Sequence, residues 1–207
     1  MMHDDFDHEE MPGLPKRPPK GEEILWQGRP DAWALAKSAL ALPWVAGYFF
    51  VLSAWRFVSV VDMMPLHQSI GATVPVVVLG AICCALLWLV AFIQARATVY
   101  TLTTRRVVMR VGAALTLTLN LPYSKIASAD LDLRKDGSGS IALSLLGETR
   151  LGYLVLWPHV RPWQFRTAPS LRCIPDAQHV ADILSDAAET EVNTPQVSQA
   201  MHAIPAE

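Results

Sequence analysis

The chain has 207 residues, of which 52% are apolar and only 17% charged, so it is too apolar for a disordered protein or an ordinary cytosolic one. Its formal charge of −2 balances 17 basic against 19 acidic residues, which excludes a nucleic-acid partner recognised through overall charge. Of the three cysteines, Cys83 and Cys84 are adjacent, and the set suits neither a disulfide framework nor a zinc site.

Residues 1–37 are predicted to form a flexible segment. These 37 residues are not expected to form a cleavable signal peptide, because the first ten are acidic and the apolar run begins late. Residues 11–20 contain four prolines and one glycine, a composition typical of an extended chain.

Two apolar runs within residues 38–95 predict a transmembrane helical hairpin. Residues 70–93 contain no charge and, as a helix, would be roughly 36 Å long, which is enough to cross a bilayer. Residues 39–61 contain one charge, Arg56, whose long side chain can reach the lipid headgroups. The alternative is a pair of buried helices in a soluble fold, which two such runs so close together disfavour.

The distribution of lysine and arginine predicts the topology. The linker 62–68 contains neither residue, whereas both outer flanks are basic. Because basic loops stay on the cytoplasmic side, we expect a multi-pass protein with both termini in the cytoplasm.

After residue 95 the apolar period changes to two, which predicts a β domain over residues 96–189. Asp136-Gly137 is a hairpin signal, and an amphipathic helix follows Pro175. Residues 190–207 are predicted to be a disordered tail. Periodicity alone leaves a small barrel and a sandwich open, and it indicates about seven strands, near residues 98–103, 106–111, 115–121, 130–134, 141–145, 151–157 and 170–174.

Catalytic chemistry is not indicated. Gly137-Ser138-Gly139-Ser140 lies between two strands and no lysine follows it, so it is interpreted as a hairpin turn rather than a phosphate-binding loop. His159 has no partner that the sequence identifies and is interpreted as a loop histidine. The expectation is therefore a protein that is not an enzyme and that holds no metal.

Two groups of residues are candidate binding sites. The first is basic and is expected to contact anionic lipid or a protein partner, with an ordinary positive flank as the alternative: Arg96, Arg105, Arg106, Arg110 and Lys125. The second is a Trp- and Arg-containing connection expected to bind a partner, unless its tryptophans fold inward: Trp157, Arg161 and Trp163.

Small residues beside Cys83 and Cys84, including Gly80, permit close helix packing in a membrane. The sequence leaves open whether this packing lies within the hairpin or at a partner interface, and a homo-oligomer is one such partner.

Three segments carry a family resemblance: GEEILWQGRP at residues 21–30, VYTLTTRRVVMRVG at 99–112 and LPYSKIASADL at 121–131. Together with the two apolar runs they resemble bacterial pleckstrin-homology (PH) proteins with a membrane hairpin, and among these the photosynthetic complex assembly proteins. The resemblance implies an α+β membrane protein of the bacterial inner (intracytoplasmic) membrane, with a PH-like seven-strand barrel capped by a C-terminal helix.

The same resemblance implies a function in assembling the photosynthetic reaction centre of purple bacteria by binding. The expected partners are reaction-centre subunits or assembly intermediates, and membrane lipids. The alternative is a general bacterial PH-domain protein that senses lipid or envelope stress.

No cofactor is expected. The usual protein ligand of bacteriochlorophyll magnesium is a histidine within a membrane helix, and the two predicted spans contain none. His67 lies in the predicted linker, so a bacteriochlorophyll contact has no support from a membrane histidine. The alternative that stays open is a pigment contact through the backbone, a water molecule or another group.

Overall fold

The computed structural model describes residue 19 and residues 21–112, 116–147, 156–160 and 168–193. Within them the chain forms four α-helices, seven strands and one 3-10 turn. In chain order these are β1 (Ile24–Gly28), α1 (Ala32–Ser38), α2 (Leu42–Val61), α3 (Leu66–Ala97), β2 (Val99–Thr103), β3 (Arg106–Val111), β4 (Leu117–Pro122), the 3-10 turn Tyr123–Lys125, β5 (Ile126–Leu133), β6 (Gly139–Leu145), β7 (Ser170–Ile174) and α4 (Ala177–Asn193).

The strands form two antiparallel sheets, in the orders β1-β2-β3-β4 and β5-β6-β7. They enclose one apolar core with α4, to which Leu102 and Met109 contribute from the first sheet, Leu143 and Leu171 from the second, and Leu184 from the helix. The expected closed barrel is wrong for the described residues. The reason is that the 3-10 turn leads the chain from β4 into the second sheet instead of pairing β4 with β5.

Strand β1 corrects the prediction that residues 1–37 are a flexible segment. Its residues pair antiparallel with β2, with Gln27 opposite Thr101 and Gly28 opposite Tyr100. Helix α1 follows directly, so residues 24–38 belong to the folded part of the molecule. Helices α1, α2 and α3 are consequently an insertion between two neighbouring strands of one sheet.

Other predicted boundaries also move. Helix α3 begins before the predicted span and ends four residues after it, so His67 lies in its first turn and not in a linker. Helix α4 continues to Asn193, beyond the predicted domain end at 189. The predicted strand 151–157 lies mostly outside the described residues, and its last two residues lie in a turn in which His159 N donates to Leu156 O.

Helices α2 and α3 are long and apolar enough to cross a membrane. At about 1.5 Å per residue their 20 and 32 residues correspond to roughly 30 and 48 Å. Their apolar side chains point outward, as shown by Trp44 and Trp55, which are 83% and 74% exposed. A soluble protein rarely exposes an apolar surface of this extent, which indicates association with a membrane.

The two long helices pack closely at Gly80. This residue is buried, and a Cβ added to it would lie 2.7 Å from the Cβ of Phe49 on α2. Gly47 and Gly71 differ, because a Cβ at either would meet open space. The small residue at position 80 therefore serves packing within the hairpin.

We expect Gly80→Ala to destabilise the hairpin by about 1–3 kcal/mol, since the added methyl must displace the Phe49 side chain or move the two helices apart. Gly71→Ala, on the same helix, is the matched control and should be neutral or slightly stabilising because alanine favours the helix. Thermal unfolding of the detergent-solubilised variants measures both. Equal stability of the two variants would contradict this packing.

Candidate functional site at the junction of the helices and the sheets

Helix α1 connects the helical hairpin to the second sheet. Its Leu35 is fully buried and packs in a cluster with Ala95 of α3 and Cys173 of β7. The Asp31 side chain caps the helix by accepting from the backbone N–H of Ala34, and Asp31 N donates to Cys173 O at 2.8 Å. The start of α1 is thus fixed to β7.

A buried histidine joins the end of α3 to the sheets. His159 is 1% exposed, with its Nδ1 2.6 Å from Tyr100 Oη and its Nε2 3.0 Å from Thr98 Oγ1. Thr98 Oγ1 also donates to Gln94 O at 2.8 Å, so it must accept from His159 Nε2–H. The hydroxyl of Tyr100 then donates to Nδ1, which assigns the Nε2–H tautomer from the hydrogen-bond network.

The imidazole of His159 is held neutral. Burial, and secondarily the nearby Arg172 guanidinium, lower the pKa of His159 from 6.5 to about 4. Burial raises the pKa of Tyr100 far above its usual range, so its phenol is also uncharged. The sequence-based interpretation of His159 as a loop histidine missed its burial, because its partners lie about 60 residues earlier in the chain.

Arg172 on β7 connects further elements at the same junction. It is only 8% exposed, and its guanidinium donates to Pro158 O at 3.0 Å and to Ser38 O at 3.4 Å. Ser38 is the last residue of α1, where carbonyl groups lack helical partners and attract positive charge. No sequence pattern around Arg172 indicates this role.

The five basic residues selected from sequence do not form one surface. Arg110 lies opposite Val99, at the end of the β2–β3 hairpin that follows α3, and Arg96 lies in the last turn of α3. Arg105 lies in the turn at the other end of that hairpin, roughly 17 Å away along the strands, and its carbonyl accepts from Tyr123 N at the start of the 3-10 turn that ends with Lys125. The hairpin geometry explains this separation. In an antiparallel strand pair, the turn lies at one end and the free ends of the two strands lie at the other.

Arg106 is engaged within the fold. Its guanidinium donates to both carboxylate oxygens of Glu22, at 2.7 and 2.8 Å, and Thr103 Oγ1 donates to the same carboxylate at 2.7 Å. Burial alone would raise the pKa of Glu22, but the hydrogen bonds from Arg106 and Thr103 outweigh it and lower this pKa. The ion pair fastens the start of β1 to the β2–β3 hairpin.

Of the predicted partner-binding connection, the structure describes one member. Trp157 is 39% exposed, whereas the preceding Leu156 is 1% exposed and belongs to the core. The indole of Trp157 thus lies at the surface beside the junction. Arg161 and Trp163 lie outside the described residues.

Comparison with known proteins identifies this architecture. The model of the bacterial PH domain family matches residues 38–188, which is most of the chain. The chain belongs to the bacterial PH domain family. A protein of Rhodobacter capsulatus described as "Uncharacterized 23.7 kDa protein in puhA 5'region" is 44% identical over 206 residues, covering 95% of this chain and 94% of the relative. No solved structure matches the chain.

The family match begins at the end of α1, so it omits β1. In this bacterial PH protein the first strand is contributed by residues before the matched region, and it completes the four-stranded sheet across the helical insertion. The β2–β3 turn contains only Thr104 and Arg105, so it provides no long basic loop of the kind with which eukaryotic PH domains hold phosphoinositides.

We expect Arg106→Gln to destabilise the PH domain by about 1–2 kcal/mol, because it removes the charged partner of the buried Glu22 carboxylate while Arg106 itself is partly solvent-screened. The neighbouring Arg105→Gln is the control and should have a much smaller effect, since Arg105 is exposed and acts on Glu22 only through its charge. Chemical denaturation followed by near-UV circular dichroism measures both. A larger loss for Arg105→Gln would refute the assignment.

The stability of the PH domain should fall as the pH is lowered from about 6.5 to about 4. In this window the unfolded chain protonates His159 while the folded one does not, so unfolding takes up a proton. The contribution is on the order of 3 kcal/mol. His159→Gln should flatten this part of the profile, whereas His179→Gln, at an exposed position on α4, should retain it. Identical pH profiles of stability for the two variants would contradict the assignment of this pH dependence to His159.

Proposed function

We propose that the chain is an integral membrane factor for assembly of the photosynthetic reaction centre, acting by binding a subunit or an assembly intermediate. The observation that carries the proposal is the 44% identity, over nearly the whole of both chains, to the Rhodobacter capsulatus protein whose description names the puhA 5' region. The sequence resemblance to the photosynthetic complex assembly protein PuhB supports the same reading.

Membrane insertion is supported by the outward-facing apolar surface of α2 and α3. Both helices are long enough to span the hydrocarbon core, and the exposed Trp44 lies in the first turn of α2. The hydrocarbon chains of a bilayer would cover this apolar surface without any further protein.

The pairing of β1 with β2 supports the proposed topology. Because these strands flank the helical insertion and are hydrogen-bonded neighbours, both ends of the insertion leave the same sheet. Lys37 and Arg96 lie at that end of the helices, and positive charge favours the cytoplasmic side. We therefore propose that the sheets and both termini are cytoplasmic, at the bacterial inner membrane.

A binding mode, rather than catalysis, is supported by the use of His159 inside the fold. Both ring nitrogens have hydrogen-bond partners, and the low pKa of His159 keeps the ring neutral. Neither nitrogen is directed at a site for substrate. The proposed role requires no cofactor, and His67 lies on the exposed first turn of α3.

Two surfaces suit a reaction-centre subunit. One is the Trp157 indole beside the junction, since tryptophan is enriched at binding hot spots. The other is a cleft of about 300 Å³ between α2 and α3, lined by small and apolar residues such as Ala46, Val77 and Ala81. Small residues allow a further membrane helix to approach, from a reaction-centre subunit or from a second copy of the chain.

Deletion of the gene in the organism that carries it tests the proposal. Under conditions that induce photosynthetic complexes, we expect the near-infrared absorption of the reaction centre to be lost selectively while pigment synthesis continues. The intact gene should restore the signal. An unchanged spectrum would contradict the assembly function and leave only the membership of the family. A changed envelope phenotype would then favour the lipid- or stress-sensing alternative.

Complementation with variants locates the binding surface. Trp157→Ala should accumulate normally but restore less reaction centre, and Leu146→Ala, which removes another exposed apolar side chain, is the matched control. Full restoration by Trp157→Ala would remove Trp157 from the proposed interface.

A further inference from the structure

A small cleft lies where α1, α3 and the end of β1 meet. Its volume is about 170 Å³, and its lining includes Arg29, Pro30, Phe92 and Arg96. Pro30 is buried and fixes the backbone beside Arg29, while both arginine side chains are exposed. Two arginine side chains thus line an apolar cleft at the sheet-proximal end of the long helices.

Within the part of the chain that the structure describes, no carboxylate neutralises the positive charge of this cleft. Among the described residues, neither Arg29 nor Arg96 forms an ion pair with a carboxylate. The nearest acidic residue in sequence, Asp31, uses its carboxylate to cap α1 through Ala34 N. An anion placed between the two arginines would meet paired N–H donors, the geometry that guanidinium groups offer to phosphate.

An apolar track leads away from the cleft along α3. Trp88 and Phe92 stack at 5.4 Å between ring centroids, and the Arg96 guanidinium lies 5.0 Å from the Phe92 ring. The four-residue spacing puts all three side chains on one face of the helix. Trp88 is 40% exposed, so this face is open to a long hydrocarbon chain.

Beside the same cleft, helix α1 has aromatic and basic side chains of the kind found at bilayer interfaces. Trp33 is 51% exposed, and the Lys37 ammonium lies 5.1 Å from its ring. Amphipathic aromatic rings and basic side chains concentrate at the headgroup level of membranes.

We propose that this cleft binds one anionic phospholipid, with its phosphate between Arg29 and Arg96 and an acyl chain along Phe92 and Trp88. The site extends the membrane insertion proposed above and is independent of the assembly role. Of the basic residues selected by sequence, the site includes Arg96, and it adds Arg29. Arg105 and Lys125 do not belong to it, because they lie at the far end of the β2–β3 hairpin.

Native mass spectrometry of the full chain in a non-ionic detergent tests the site, with phosphatidylglycerol and phosphatidylcholine as probes. The wild type should retain a first phosphatidylglycerol more tightly than phosphatidylcholine. Arg29→Gln combined with Arg96→Gln should weaken this first adduct about fivefold for each arginine. Arg105→Gln combined with Lys125→Gln removes the same charge elsewhere and should leave the adduct unchanged.

Three results would overturn the lipid site: equal weakening in both double variants, equal affinity for the two lipids, or displacement of phosphatidylglycerol by inorganic phosphate. If the Arg29 and Arg96 glutamine variant does not fold, as judged by near-UV circular dichroism, lysine at both positions replaces it. Lysine keeps the charge but loses the bidentate donors, and an unweakened adduct then counts against the proposal.

Flotation of the chain with phosphatidylcholine vesicles at alkaline pH separates the two proposals. A chain that does not float contradicts the proposed membrane insertion. A chain that floats yet shows no preference for phosphatidylglycerol contradicts the lipid site alone.

Discussion

The pairing of β1 with β2 is the contact on which the rest of the structure depends. These neighbouring strands are separated in sequence by residues 29–98, which contain all three helices of the insertion. Closing a loop of about 70 flexible residues would cost on the order of 4 kcal/mol in chain entropy. The hairpin reduces this loss, because two antiparallel helices return the chain to its starting point. The Arg106–Glu22 ion pair then holds the start of β1, the end of this strand that lies away from the helices.

Polar contacts at the junction set the orientation of the sheets relative to the helices. The hydrogen-bonded series from Tyr100 through His159 to Thr98 joins a strand, a loop and the end of α3. Arg172 adds the end of α1 to the same group. Buried polar groups with all partners present tolerate little displacement, because each lost bond leaves an unsatisfied group. The sheet domain is consequently held at a fixed angle to the helices, and its exposed surfaces, including Trp157, keep a defined distance from their ends.

Local patterns in the sequence revealed the helices and most strands, but contacts between distant residues remained hidden. Strand β4 was predictable because its apolar residues Leu117, Leu119 and Leu121 alternate with polar ones, which is typical of a strand with one buried face. Strand β1 is a mostly exposed edge strand whose partner lies far along the chain, so it has little alternation to detect. The burial of His159 depends likewise on Thr98 and Tyr100. For the basic residues, closeness in sequence suggested one surface, whereas an antiparallel hairpin separates its turn from its open ends.

The insertion of the helices between β1 and β2 also has a consequence for biosynthesis. Strand β1 leaves the ribosome about 70 residues before its partner, which corresponds to several seconds of translation at typical speeds. During that interval its backbone donors and acceptors have no strand to pair with, and the four-stranded sheet lacks its edge. Under the proposed topology, β2 returns to the cytoplasm only after both helices have entered the bilayer. Completion of the sheet is therefore coupled to successful insertion, and a chain that stalls in the membrane displays an unfinished domain to the quality-control proteases of the cell.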